Sequence, residues 1–431
     1  MEPRRWLIAL TLVACGVFVA GRQGIAALDI CGCIGSPKSL GAFDTIAGTG
    51  LPPGTTSAFR SMTIPLPADG VLVFDSANFA VRPSDSGVLD VFFTRNQANT
   101  PVTILASGNV TIGTSVTLHL TGDGGTGGSN GGAGVGGLGG PGGFRGGDGA
   151  YQAVNGTTDG GAGLGPTGGA SGLASGTTRG GDGTFFGLPE LLPLVGGAGG
   201  GGGASFSTSL NCAGGGGGGG GGAILIASNG TISISGALLA DGGGAGTPSN
   251  GGCATTAGAG SGGAIRLVAD TIAGTGALYA RGGGIPFVAS SSGKSGIIRL
   301  EAITDTLPPG NTDPPASRTT VPGPIVNPFS PTVVVTTVAG QAVPTPATGN
   351  MAGVDVVIPA PGPAEIDLGT SGVPGGTVVE VVVKPRVGSG VLTLNTTLSN
   401  CDTAGNCIAA VTPTLAAGAY VIEARATFQT P

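Results

Sequence analysis

Residues Gly214 to Gly222 are nine consecutive glycines, and they run directly into Ala223-Ile224-Leu225-Ile226-Ala227, a strand-forming sequence. The junction recurs. Gly222-Ala223-Ile224-Leu225-Ile226-Ala227-Ser228 aligns with Gly263-Ala264-Ile265-Arg266-Leu267-Val268-Ala269, and again with Gly296-Ile297-Ile298-Arg299-Leu300-Glu301-Ala302. The first two copies continue in step, Thr231 to Gly244 matching Thr271 to Gly284 along its length, and an upstream copy spans Thr103 to Gly125.

Within each unit, apolar residues alternate with small or polar ones over about five residues, a Gly or Asn turn intervenes, and alternation resumes. These are short strands separated by corners. No single unit can bury its own apolar face, so tandem copies predict stacking. The expected fold class is all-β: a parallel β-solenoid over residues 102–303, three strands to the unit, with an internal ladder in which Ile104, Ile224 and Ile265 are equivalent. A β-sandwich is the competing architecture, although it does not require neighbouring segments to resemble one another.

The excursion over residues 122–222 has a different period. In Val135-Gly136-Gly137-Leu138-Gly139-Gly140-Pro141-Gly142-Gly143-Phe144 the apolar residues return every third position. An extended left-handed helix of the polyproline II type turns once in three residues, so Val135, Leu138, Pro141 and Phe144 would share one edge and leave two glycine edges open. Open glycine edges let backbones approach and pair, and the run from Gly214 to Gly222 is then a candidate central rod. The alternative is a disordered low-complexity loop. Collagen is excluded, because the triplet phase breaks at Ala133 and Arg145 and proline is rare there.

Composition narrows the function. Glycine supplies 92 of 431 residues, 9% of residues are charged and the net charge is -6. No basic stripe exists to neutralise phosphates, so nucleic acid is not an expected partner. Arg4-Arg5 followed by an apolar run from Trp6 reads as a secretory signal over residues 1–26, with Cys15 as an alternative lipidation site in Leu12-Val13-Ala14-Cys15-Gly16. Export leaves Cys31, Cys33, Cys212, Cys253, Cys401 and Cys407, an even set in an oxidising compartment. Cys401 with Cys407 across a turn, and Cys212 with Cys253 across neighbouring repeats, are candidate pairs, with about fifteen pairings formally open. Cys31-Gly32-Cys33 is either a local disulfide or a metal-binding fragment.

Other motifs weaken on inspection. Arg145-Gly146-Gly147-Asp148 and Arg179-Gly180-Gly181-Asp182 invite a Ca²⁺ reading, but they lack the tandem of calcium nonapeptides, and the equivalent turns carry Asp241 in one unit and Arg281 in another. They are expected to be structural turns, with surface Ca²⁺ as the alternative and no other cofactor. Ser292-Gly293-Lys294-Ser295 lacks the first glycine of a phosphate loop, since position 288 is Val, and reads as a surface turn. His119 lies in an alternating run without a matched nucleophile and reads as an outward strand residue. Aromatic platforms are few: Tyr151, Tyr279 and the pair Phe185-Phe186. No catalytic, cofactor-binding or metal residues are expected.

The flanks complete the organisation. Residues 27–101 are expected to cap the solenoid's open end, residues 304–331 to form a Pro-rich linker, and residues 332–431 to form an immunoglobulin-like β-sandwich. The motif Gly-Gly-Ala-Ile-x-Leu-x-Ala after a glycine tract, followed by Gly-x-Leu-x-Ala-x-Gly-Gly-Gly, resembles the repeats of large exported bacterial surface proteins of β-helical type, over about residues 100–303. The Gly-Gly-X stretch is similar in conformation to the glycine-rich rods of certain phage receptor-binding adhesins and of an arthropod antifreeze protein. These resemblances imply an extracellular structural or adhesive protein, not an enzyme, at the cell surface, whose partners are an extracellular polysaccharide, a cell-surface component, another protein or further copies of itself. A carbohydrate-active β-helix enzyme is the alternative and an ice-binding protein the third reading.

Overall fold

The computed structural model describes residues 29–82, 87–129, 132–151, 158–206, 212–250, 252–284, 293–325, 331–345, 347, 355–388, 390–402 and 406–428. It is all-β: the described residues hold no α-helix, only a 3-10 turn at Pro309–Asn311. The strands up to residue 319 are β1 (Ala42–Asp44), β2 (Thr56–Ala58), β3 (Ser61–Pro65), β4 (Val71–Phe74), β5 (Ser76–Phe79), β6 (Leu89–Thr94), β7 (Val102–Ala106), β8 (Val110–Ile112), β9 (Val116–His119), β10 (Ala223–Ile234), β11 (Ala237–Leu239), β12 (Ala264–Gly274), β13 (Ala277–Tyr279), β14 (Ile297–Asp305), β15 (Thr312–Asp313) and β16 (Ser317–Thr319).

They form a nine-stranded sheet, β1-β5-β8-β10-β12-β14-β16 with β4 and β7 alongside, and a seven-stranded sheet, β15-β13-β11-β9-β6-β3-β2. Apart from the β2–β3 hairpin the pairing is parallel. The chain passes from the first sheet to the second, so β7 and β8 precede β9, β10 precedes β11, and β12 precedes β13. The sequence repeat becomes the register. Ile224 stands beside Ile265 and Ile265 beside Ile298, while Thr231 stands beside Thr271.

One expected equivalence is corrected. Ile104 pairs with Ile226, and Val102 is the residue beside Ile224. The upstream copy is offset by two residues, which keeps the same side chains inward because the pleat has a period of two. The ladder residues Val102, Ile104, Ile224, Ile226, Ile265, Leu267, Ile298 and Leu300 are all fully buried in one core.

Two flanks also differ from expectation. Residues 27–101 are not a separate cap, since β1 and β3 to β6 are themselves rungs of the parallel stack, and Phe43 packs its ring 5.1 Å from Phe74 and 4.7 Å from Phe79 inside it. The Pro-rich stretch is not a free linker. There β15 and β16 extend the two sheets, and residues 323–325 lie over the outer face of the first sheet. Arg266 donates to Glu301 (2.9 Å) and to the Pro324 carbonyl (2.9 Å), and the Gly323 N–H donates to Glu301 (2.6 Å). The Cys31–Cys33 disulfide covers the same face, against Val73, Leu225, Ala227 and Val268.

The glycine excursion is a bundle of extended rods, and residues 214–222 form its centre. On the first edge of the rod, the N–H groups of Gly214, Gly217 and Gly220 donate to Ala150, Gly147 and Phe144, while their carbonyls accept from Gly134, Gly137 and Gly140. On the second edge, Gly215, Gly218 and Gly221 donate to Thr255, Gly258 and Ser261 and accept from Gly203, Gly200 and Gly197. On the third, Gly216, Gly219 and Gly222 donate to Thr126, Asp123 and Leu120, and the carbonyls of Gly216 and Gly219 accept from Gly246 and Gly243. Three edges with two partners each surround the rod with six others, which is the packing that a three-residue turn permits.

None of residues 214–222 has a positive φ. Glycine is required there for space. A methyl group at any of the nine would lie within 3.0 Å of a neighbouring backbone atom. The Val135–Phe144 triplets hold only as far as Leu138 in one rod: Val135 and Leu138 face outward, the chain reverses at Pro141-Gly142, and Phe144 begins an antiparallel rod. The Cys212–Cys253 disulfide ties the start of the central rod to a neighbouring turn.

The remaining strands are β17 (Thr332–Val338), β18 (Gln341–Ala342), β19 (Gly362–Pro363), β20 (Ile366–Ser371), β21 (Val378–Pro385), β22 (Leu392–Thr397), β23 (Ile408–Val411), β24 (Thr414–Leu415) and β25 (Tyr420–Ala426). They form antiparallel sheets β18-β17-β20-β23, β22-β21-β25 and β19-β24 around a second core that includes Ile366, Leu368, Val379, Val381 and Val383.

Two substitutions separate space from mere glycine content. Gly218→Ala is expected to lower stability by about 1–3 kcal/mol or more, because backbone surrounds the new methyl on a fixed lattice. Gly124→Ala, whose methyl would meet only ordinary contact at 3.6 Å, is expected to be neutral or to gain about 0.4–1 kcal/mol through the unfolded chain. Thermal melts of the two variants measure the contrast.

Candidate functional site

The Arg-Gly-Gly-Asp motifs acquire a structural reason in the rods. A helix with three residues per turn returns positions i and i+3 to the same edge, so Arg145 pairs with Asp148, and Arg179 with Asp182 (2.8 Å). They are not turns, as expected from the sequence, but ion pairs along rods. Across neighbouring rods the same edge sets Asp241 against Arg281 (2.6 Å), which explains why equivalent positions carry opposite charges. The residues read as Ca²⁺ candidates thus neutralise arginines. Among the described residues no cluster of three or more His, Cys, Asp or Glu side chains is placed to hold a metal ion.

Asp148 also joins the two halves of the molecule. Its Oδ1 accepts from the Gly136 N–H (2.9 Å) and from Arg145, and its Oδ2 accepts from Arg386 Nε (2.9 Å), which lies just beyond β21. Burial pushes this carboxyl up, but the charge of Arg145, the Arg386 hydrogen bond and the Gly136 N–H outweigh burial and hold it below the usual carboxylate range. Asp182 and Glu301 are held low in the same way, against burial, by Arg179 and by Arg266 with Arg299.

Lys384, near the end of β21, is buried at the same seam. Its Nζ donates to the carbonyls of Gly163 (3.2 Å) and Gly165 (2.9 Å) and to Glu423 Oε2 of β25 (2.9 Å), while Glu423 Oε1 accepts the Gly165 N–H (2.7 Å). The Gly388 N–H donates to the Gly160 carbonyl (3.2 Å). Carbonyls at the edge of a polyglycine bundle lack a further rod to accept from, and an ammonium with three donors satisfies them.

Beside this seam lies a cavity of about 490 Å³. Its walls are β17, through Val333 and Val335, and β25, through Ile422 and Ala424, and its floor is Phe144 and Leu164 of the rods. The opening has a topological cause. Among the described residues β25 pairs with β21, and β17 pairs with β20 on one side and for two residues with β18 on the other, so β17 and β25 pack near each other without a backbone ladder to close the space beside them. No family model, curated protein or solved structure matches this chain.

The residues singled out from sequence fall in three groups. The cysteines pair as Cys31–Cys33, Cys212–Cys253 and Cys401–Cys407, so the metal alternative for the first pair is corrected to a disulfide. His119 faces outward, accepts or donates to Asp90 (2.8 Å) and stacks on Phe92 with centroids 4.5 Å apart. Tyr279 is covered by Arg281 at 4.2 Å, and Phe186 packs on Phe144 at 5.6 Å, so the aromatic candidates are engaged. Tyr151 makes a backbone bridge with Ala213. Lys294 is exposed, as expected, and its backbone N–H donates to Gly183 while its carbonyl accepts from Gly262. Ser292, Cys15 and the signal segment lie outside the described residues.

Lys384, Arg386 and Glu423 were not found from sequence. They meet the rods from more than 200 residues away in the chain, and no local spacing marks them.

The lowered Asp148 pKa has a definite sign. Stability it supplies is fully present above its unfolded pKa, about 3.9, and is lost as pH falls through the lower folded value. Asp148→Asn is therefore expected to be less stable at neutral pH by roughly 3 kcal/mol, the scale of breaking a buried pair. The gap should close as pH falls below about 4, as read from melts of both proteins across that range.

Proposed function

We propose that this protein is a non-enzymatic extracellular scaffold of the structural or adhesive kind, a parallel β-solenoid whose third side is a polyglycine bundle, carrying an immunoglobulin-like β-sandwich as its binding module. The observation that carries this reading is the seam. Lys384 and Glu423, a largely buried pair, and the half-exposed Arg386 on buried Asp148 seat the C-terminal sheets on the rods, an arrangement suited to holding a module in a fixed pose on a stiff support.

The distribution of acids supports it further. The buried or half-buried carboxylates Asp148, Asp182, Asp241, Glu301 and Asp305 each face an arginine. Carbohydrate-active chemistry needs a pair of carboxylates facing a scissile bond, and these are committed to structure instead. Export fits three disulfides, which persist in oxidising compartments, and fits the apolar run that follows Arg4-Arg5.

The purified mature protein, applied to immobilised extracellular polysaccharides and to bacterial cell surfaces, is expected to show saturable retention on at least one of them without generating new reducing ends or unsaturated sugars. Catalytic release of either product, or absence of retention on every surface, contradicts the proposal.

A further inference from the structure

On the outer face of the seven-stranded sheet, three large apolar side chains have no core to belong to. Phe92, Leu239 and Tyr279 join none of the hydrophobic clusters of the described residues, whereas the outer face of the first sheet is covered by Cys31, Cys33, Leu194 and Ile325. Register sets the three in one row. β6, β9, β11 and β13 place Phe92 beside His119, His119 beside Leu239 and Leu239 beside Tyr279, so a ridge runs along the solenoid axis with one side chain per strand, about 4.8 Å apart. Phe92 is 42% exposed and the other three are half-buried. The stack of Phe92 on His119 (4.5 Å) and the place of Arg281 over Tyr279 (4.2 Å) hold the ridge in one arrangement, which lowers the ordering cost of binding.

Small and polar residues flank the ridge. Asp90, Thr117, Ala237 and Ala277 form the row on one side, and Thr121, Asp241 and Arg281 the row on the other. Small neighbours let a ligand lie along the ridge, and the hydroxyls, carboxylates and guanidinium offer donors and acceptors to a ligand rich in hydroxyls. Charge disfavours an anion. The face and its borders carry Asp90, Asp123, Asp241 and Asp313 against Arg60, Arg95 and Arg281, so positive charge is not in excess whether or not His119 is protonated. Size disfavours a globular partner. Seven strands with three outward residues each cover roughly 30 Å by 15 Å, against the roughly 800 Å² that each partner buries in a standard protein interface. An apolar strip one side chain wide with polar margins complements a single extended chain that is apolar on its ring faces and hydroxylated on its rim.

We propose that this face binds a neutral, extended polysaccharide of the β-linked glucan type, running parallel to the solenoid axis with its sugar rings over Phe92, His119, Leu239 and Tyr279 and its hydroxyls on the flanking rows. The site lies on the solenoid itself and is additional to the C-terminal module, so it stands whether or not that module binds. A second copy of this chain, face to face, is the competing occupant, and the test separates the two.

The experiment runs the full mature chain in native gels containing graded hydroxyethyl cellulose or polygalacturonate, and sediments it without polymer. Saturable retardation by hydroxyethyl cellulose is expected, with none by polygalacturonate. Phe92→Ala and Leu239→Ala should each weaken binding about tenfold, the scale of one lost aromatic or apolar contact, with melts close to wild type because neither residue belongs to a core. Ile303→Ala, an exposed position of β14 in the other sheet, should leave binding unaltered. No retardation of the wild-type chain by hydroxyethyl cellulose overturns the proposal, as does unaltered binding in both ridge variants or equal weakening by Ile303→Ala. Equal or stronger retardation by polygalacturonate overturns the assignment to a neutral chain. A single monomeric species in sedimentation supports a face open to ligand, whereas a dimer that Leu239→Lys dissociates assigns the face to a second copy and overturns the proposal. Retention of wild type and ridge variants alike on a bacterial surface would remove this site and leave the scaffold reading in place, so the two fail separately.

Discussion

The absence of a side chain at residues 214–222 is the constraint on which the molecule depends. Six neighbouring backbones reach the central rod closely enough to exchange N–H and carbonyl groups on all three of its edges, and a single Cβ anywhere along it would displace one of them. This is costly to order. Fixing a residue's backbone costs about 1–2 kcal/mol, glycine more than others, while a net hydrogen bond contributes only about 0.5–1.5 kcal/mol. The rods therefore cannot be sustained by hydrogen bonding alone.

What they lack, the β-sheets provide. Each excursion leaves β9, β11 or β13 and returns at the next strand of the first sheet, so the rod ends are fixed by a buried Ile, Leu and Val ladder whose burial is worth about 25 cal/mol per Å² of apolar surface. The Cys212–Cys253 disulfide pins rods from the opposite direction. The C-terminal sheets then close a further edge, where Lys384 supplies donors that a missing rod would otherwise have supplied. Stability passes from the apolar ladder into the glycine bundle and from there into the module seated on it.

Much of this was legible in the sequence because it rests on short periods. Alternation of two announced the strands, the alignment of Ile224 with Ile265 and Ile298 announced their register, and the glycine triplets announced rods of three residues per turn. The upstream register was misplaced by two residues, since Val102 and Ile104 are interchangeable by pattern and only packing distinguishes them. The Pro-rich stretch read as a linker because its two short strands carry little alternation, although Arg266 and Glu301 hold it to the sheet. The Arg-Gly-Gly-Asp pairs were visible but misread as turns, because their meaning depends on a helix with three residues per turn. The seam and its cavity had no local signal at all: they arise where Lys384 and Arg386 meet residues 145–165, and where β17 and β25 pack without pairing.

The central claim is that the nine glycines are the interior of a hydrogen-bonded lattice. Native-state hydrogen exchange read at the amides of residues 214–222 tests it most directly, because they donate in turn to three neighbouring rods and open only when the bundle opens. The account predicts protection approaching that of the β10 and β12 amides, with no faster-exchanging position inside the run. Exchange at the rate of an unstructured glycine peptide would contradict it.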